Sequence, residues 1–169
     1  MTILDETERA IRSARCKGAV GKNAIVPRIL PQLLAFFPPF NTPISILDFG
    51  CGKDMIHVKA LREQGYSVEG FDFSIPNSYV DNVRDKKYDV VYLSNVLNIQ
   101  PSEQMLSETI TSIKLCVKPF GYIIANYPER PRYLEWTTKE MSEWLSTKFT
   151  DVLRVSKTIA GINIVWIMR

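Results

Sequence analysis

Ile44-Ser-Ile-Leu-Asp-Phe-Gly-Cys-Gly-Lys-Asp54 is the stretch on which the fold turns. An apolar run rich in β-branched residues ends in an acid, two glycines flank one residue, and a helical pattern follows. This order predicts a buried strand that turns sharply into a helix. Gly50 and Gly52 permit the positive φ angles and close backbone approach that such a turn needs. Amides beyond them, at a helix start, favour an anionic or strongly polar ligand. Asp48 falls at the carboxyl end of the strand, where open α/β sheets bind their ligands. Cys51, between the glycines, fits as a small filler of the turn.

The chain downstream alternates strands with helices. A helix over 54–64 ends at Gly65, and Ser67-Val-Glu-Gly-Phe-Asp72 reads as a second strand ending in an acid. Asp72 lies 22 positions after Gly50, close to the roughly 20-residue interval at which an acid reaches a ribose in βαβ nucleotide sites. A carboxylate accepts two hydrogen bonds from a vicinal diol, which explains the residue type. Residues 73–87 leave room for a short strand around Tyr79–Val83. Tyr88-Asp-Val-Val-Tyr-Leu93 is apolar enough for a strand buried on both faces. Ser102 caps a helix to about Val117, with Glu103 in its first turn and Lys114 in its last. A strand follows over Gly121–Asn126, and the capping box Thr137-Thr-Lys-Glu140 opens another helix. Two final strands fall near 149–157 and 162–168, separated by Ala160-Gly161-Ile162.

Asp48-Phe-Gly50-Cys-Gly52, together with its apolar lead-in, resembles motif I of the class I S-adenosylmethionine (SAM)-dependent methyltransferases. Asp54 stands where many members have a third glycine. Lys118-Pro-Phe-Gly121 is similar to the Lys-Pro-Gly-Gly turn before that family's fifth strand, with Phe120 replacing one glycine. A C-terminal strand pair is that family's mark, and the dehydrogenase fold lacks it. Met55, where the dinucleotide fingerprint G-x-G-x-x-G has glycine, also disfavours a nicotinamide site. The resemblance covers residues 44–169 and implies a single Rossmann-like α/β domain. Its sheet has seven strands, or six, mostly parallel with an antiparallel C-terminal hairpin, and residues 1–43 form an N-terminal helical cap.

By the same resemblance, the cofactor is SAM. The glycine turn (Asp48, Gly50, Cys51, Gly52) holds its methionine end, Asp72 and Phe73 hold the ribose region, and Asp81 stands beside the adenine. A solvated loop acid is an equal account of Asp81. Ser94 and Asn95, which follow the strand at its active-site end, complete the expected cofactor contacts. The acceptor is expected near Asn95, Asn98 and the Asn126-Tyr127-Pro128 segment, where Asn and Tyr could orient an amine, a hydroxyl or a base edge. Asn at a strand-to-helix turn can equally be a capping residue. Ser94-Asn-Val-Leu lacks both prolines of the amino-DNA methyltransferase motif, so that class is not indicated. A SAM- or nucleotide-binding module without catalysis is the alternative reading.

The charge of +3 over 169 residues is compatible with nucleic acid without pointing to it. Residues 3–15 read as a short helix, and Arg9, Arg12, Arg15, Lys17, Lys22 and Arg28 make this the most basic part of the chain. Three readings stand: Lys22 or Asn23 meets the cofactor's carboxylate, the arginines grip nucleic-acid phosphates, or the face is merely solvated. A second helix is expected over 25–37, with Pro27 in its first turn. The scattered cysteines (16, 51 and 116) lack metal-ligand spacing and suggest reduced thiols in a cytosol. No apolar run reaches the length of a membrane span, and the N-terminus has no secretory h-region. His57, the lone histidine, is given no role.

Overall fold

A computed structural model describes residues 24–35, 37, 43–72, 85–129, 131, 134–156 and 163–169. The helix expected over 3–15, the short strand expected over 79–83, and the predicted contacts of Lys22, Asn23, Phe73 and Asp81 lie outside these residues.

The described chain forms α1 (Ile25–Leu34), β1 (Ser45–Phe49), α2 (Ile56–Glu63), β2 (Ser67–Phe71) and β3 (Tyr88–Leu93). A 3-10 turn (Leu97–Ile99), α3 (Glu103–Cys116), β4 (Val117–Pro128), α4 (Thr138–Lys148), β5 (Val152–Ser156) and β6 (Asn163–Met168) follow. Six described strands make one sheet in the order β2-β1-β3-β4-β6-β5. β1 through β4 run parallel and β6 is antiparallel to both β4 and β5. The order reverses at β1, which sends β2 to one side and β3 to the other, so a crevice opens at the carboxyl ends of these strands.

Side chains alternate across the sheet and serve two cores. On one face Leu47, Phe49, Val91, Leu93, Ile123 and Ala125 pack with α3 and α4. On the other, Ile46, Val68, Val90, Tyr92 and Ile124 meet α1 and α2. α1 is therefore part of the core as well as of the N-terminal segment. Its Val26 and Leu30 are fully buried, and removing a buried leucine side chain costs about 2–5 kcal/mol. The helix runs through Pro31.

The helix caps follow the sequence closely. Ser102 Oγ accepts from the Met105 amide at 3.2 Å, and Thr137 with Glu140 makes both halves of the capping box. The beginning of β4 differs from expectation. It starts at Val117, directly after α3, because Val117 already pairs with Tyr88. The ladder resumes at Val90 and Tyr122, so Lys118–Gly121 becomes an irregularity within the strand. Gly121 is required there, since a Cβ would stand 2.9 Å from the Asp89 carbonyl oxygen. At this end of the sheet Asp89 accepts from Ser45 N (2.8 Å), Ser45 Oγ (2.7 Å) and Lys118 Nζ (3.0 Å). That cluster ties β1, β3 and β4 at the edge opposite the crevice. Among the described residues no helix is long and apolar enough to cross a membrane.

Candidate functional site

The crevice is built first by the glycine turn. Gly50 has φ +94° and Gly52 φ +68°, values that favour glycine. A Cβ on Gly50 would also lie 2.6 Å from Val96 Cγ2, so the turn and the segment after β3 touch where only hydrogen fits. The turn is tied to the end of β2. Gly50 N and Cys51 N both donate to the Phe71 carbonyl, at 2.7 and 3.0 Å. Gly52 N donates to Asp72 Oδ2 at 2.8 Å. These three amides are thus used within the protein. The turn thereby holds the Asp72 carboxylate against its own backbone. Met55 enters α2 in the left-handed region at φ 50°, finishing the tight bend that the two glycines begin.

Two acids stand at neighbouring strand ends, both buried. Asp48 pairs in register with Gly70 on one side and Tyr92 on the other. Burial pushes the Asp48 carboxyl up to about 7; the nearby Tyr92 hydroxyl opposes the rise and the Asp72 carboxylate adds to it. The Tyr92 hydroxyl is fully enclosed and closes no hydrogen bond of ordinary geometry among the described residues. We take it as a near neighbour of Asp48, short of a formed bond. Burial, then Asp48, keep the Tyr92 phenol protonated far into the alkaline range. Cys51 is buried, and its thiol is pushed well above the ordinary value by burial and then by Asp48 and Asp72. A thiol held protonated is a poor nucleophile, which agrees with its reading as turn filler.

Beyond β3 the chain crosses the crevice as Ser94–Asn98. Asn95 has φ +58°, a conformation that Asn tolerates better than most residues. Its backbone N–H donates to Asn126 Oδ1 at 2.7 Å, and Asn126 Nδ2 donates to Asn95 Oδ1 at 2.8 Å. These two hydrogen bonds, one from the Asn95 backbone and one between the side chains, join the carboxyl ends of β3 and β4. Ser94 Oγ and Asn98 Oδ1 are enclosed without a partner among the described residues. Tyr127 is fully buried, and its hydroxyl is directed to the carbonyls of Leu134 (2.9 Å) and Trp136 (3.1 Å). Burial, then Glu140, push its phenol up to about 12. This hydroxyl holds the chain between β4 and α4 in place and is not presented to the crevice.

The structure therefore gathers Asp48, Gly50, Cys51, Gly52, Asp72, Ser94 and Asn95 at one end of the sheet. Phe73, Asp81 and Lys22 lie outside the described residues. Two contributors were not singled out by sequence reasoning. Tyr92 reads as one more apolar strand residue until strand register sets it beside Asp48. Val96 gives no signal at all before its contact with Gly50 is seen. Among the described residues no group of His, Cys, Asp and Glu could hold a metal ion.

A family model described as a methyltransferase domain matches residues 23–154. No curated protein matches the chain. Among solved structures, the chain is similar to a 1,6-didemethyltoxoflavin-N1-methyltransferase from Burkholderia thailandensis, bound to 1,6-didemethyltoxoflavin and S-adenosylhomocysteine (SAH). Identity is 18%, coverage 100% of this chain and 91% of that one, and TM-score 0.65. It is also similar to a TehB-like SAM-dependent methyltransferase from Corynebacterium glutamicum, with 13% identity, coverage of 99% and 98%, and TM-score 0.62. A SAM-dependent methyltransferase from Bacteroides fragilis in complex with SAH gives 17% identity, coverage of 90% and 80%, and TM-score 0.61. At these identities the likeness is one of fold.

Proposed function

The chain belongs to the methyltransferase-domain family, and we propose that it transfers a methyl group from SAM to an acceptor held over the carboxyl ends of β3 and β4. The observation that carries this reading is the Asp72 carboxylate bonded across the Gly50–Gly52 turn, with buried Asp48 beside it. The residues suit SAM on three counts. Gly50 at φ +94° and Gly52 at φ +68° let the chain bend sharply beside the Asp72 carboxylate. The Asp72 carboxylate follows β2, and an acid after the second strand is the group that accepts from a ribose diol in βαβ nucleotide sites. Burial pushes the Asp48 carboxyl up to about 7, so a cationic ligand end would favour its charged form.

SAM, when bound, supplies a sulfonium-activated methyl, whose transfer needs alignment more than a covalent nucleophile. The chain's own contribution is accordingly positional. The glycine turn and Asp72 fix the cofactor, while the Asn95–Asn126 clasp shapes the acceptor side. Phe73 and Asp81 remain candidates for the nucleoside end and Lys22 for the carboxylate. A nucleic-acid acceptor gripped by the basic N-terminus and a cytoplasmic setting are further proposals of the same rank. Two of the structural relatives were crystallised with SAH, which supports the cofactor.

The test is incubation of the protein with methyl-tritiated SAM and a desalted cell extract. Enzyme-dependent label in an acceptor supports transfer. Cofactor binding with no label transferred would identify a binding module instead.

A further inference from the structure

Asn126 is fully buried at the carboxyl end of β4, and its hydrogen bonds fix more than its own position. The backbone N–H of Asn95 is a donor whose identity is not a matter of assignment, unlike a carboxamide's two ends. Because it donates to Asn126 at 2.7 Å, the atom there must be the Asn126 oxygen, and the Asn126 NH2 must face the other way. That NH2 donates to the Asn95 side chain at 2.8 Å, so the atom receiving it must be the Asn95 oxygen. Asn95 thus spends its oxygen on Asn126 and turns its own NH2 away from that partner. Nothing among the described residues accepts from this NH2. Asn95 is half-buried, and its nitrogen is not among the enclosed polar atoms, so a ligand can reach it. The neighbouring Val96 packs directly on Gly50, so the segment that carries this donor also borders the glycine turn.

We propose that Asn126 is a positioning residue that locks Asn95 with its NH2 presented to the methyl acceptor, and that the acceptor is therefore an oxygen nucleophile. The inference rests on the methyl-transfer reading above. An oxygen that aims one lone pair at the methyl carbon keeps another to accept from Asn95. A neutral amine has a single lone pair; once that is aimed, only N–H bonds remain to face the Asn95 N–H, and donor meets donor. In the reaction the acceptor oxygen forms a C–O bond to the methyl carbon. The C–S bond breaks with its electron pair going to sulfur, and a hydroxyl acceptor releases its proton to water. A fixed donor also stabilises the oxyanion form of such an acceptor.

The test uses SAM carrying a carbon-13 methyl, a desalted cell extract, and the proteins wild type, Asn126→Asp and Asn95→Gly. The carbon chemical shift of the transferred methyl reports the atom that received it. Asn126→Asp still accepts from the Asn95 N–H but cannot donate to the Asn95 oxygen. Asn95→Gly keeps the backbone bond and the positive φ while deleting the donor, and serves if the first variant fails to fold. We expect the methyl on oxygen. We also expect each variant to slow transfer about tenfold or more while SAH affinity changes by less than about twofold. In nitrogen-15 spectra the Asn95 side-chain amide pair should lie away from the positions of a free asparagine in the wild type and move to those positions in Asn126→Asp. A methyl found on nitrogen, carbon or sulfur overturns the inference and leaves methyl transfer intact. Equal losses of transfer and of SAH affinity make Asn126 merely structural. SAH binding with no transfer to any acceptor sinks the enzymatic reading and this inference with it.

Discussion

Replacing Asp48 by Asn should separate the cost of the site from its use. The carboxyl is pushed up to about 7 in the folded protein, against about 3.9 for an aspartate in an unfolded chain. Between these values the folded state binds the proton and the unfolded state does not, so stability falls as pH rises. A tenfold difference in proton affinity is about 1.4 kcal/mol. Integrating that dependence from about pH 5 to about pH 8 gives a loss of roughly 2–3 kcal/mol attributable to this one group. Asn, nearly isosteric and neutral, carries no such term. Urea unfolding of both proteins at the two pH values measures it. Relative to wild type, Asp48→Asn should gain about 2–3 kcal/mol more at the higher pH than at the lower. The same variant should bind SAH less well at the higher pH, where the wild-type carboxylate is charged. If the stability difference is the same at both pH values, Asp48 is ordinarily ionised and the argument from its burial fails.

Other parts of the fold give independent outcomes. Iodoacetamide near neutral pH should leave buried Cys51 and Cys116 unmodified in the folded protein and alkylate both in denaturant; rapid alkylation of native Cys51, read by mass spectrometry, would contradict the protonated thiol. Phe120 is 84% exposed and sits at φ 64°, so Phe120→Asn should raise stability by up to about 1 kcal/mol by easing the left-handed strain. A lower melting temperature for that variant would mean the ring makes a contact that matters. Tyr127→Phe removes the hydroxyl from two carbonyls and should cost about 1–2 kcal/mol, with faster hydrogen exchange over 134–137. Lost transfer at unchanged stability would instead put that hydroxyl in the chemistry.

Much of this was written in the sequence where local chemistry is decisive. The strand over 88–93, the Ser102 cap and the Thr137–Glu140 box appear as read, because each rests on neighbouring residues alone. The C-terminal strand pair is antiparallel as expected. Legibility fails where a residue's meaning depends on a partner distant in sequence. Nothing local to Lys118-Pro-Phe-Gly121 says that Val117 already pairs with Tyr88, so the strand's early start was missed. Nor does the glycine turn show locally that its amides are taken by the Phe71 carbonyl and Asp72, which lie 20 or so residues on. Tyr127 reads in the sequence as able to orient the acceptor, yet its partners come from the segment leading into α4. In Asn95, the residue type suggested both a cap and a ligand contact. Its bond to Asn126, 31 positions away, shows how one amide end serves the fold while the other stays accessible.

Calorimetric titration with SAH, with NAD as competitor, bears most directly on the central claim that the Asp72–glycine-turn crevice is a SAM site. The account predicts one SAH site per chain, displaced by SAM and unaffected by NAD. Asp72→Ala should weaken it by about 1.5–3 kcal/mol, tenfold or more, since hydrogen bonds to a charged acceptor are lost. Tight NAD binding with none of SAH, or full SAH affinity in a folded Asp72→Ala protein, would contradict it.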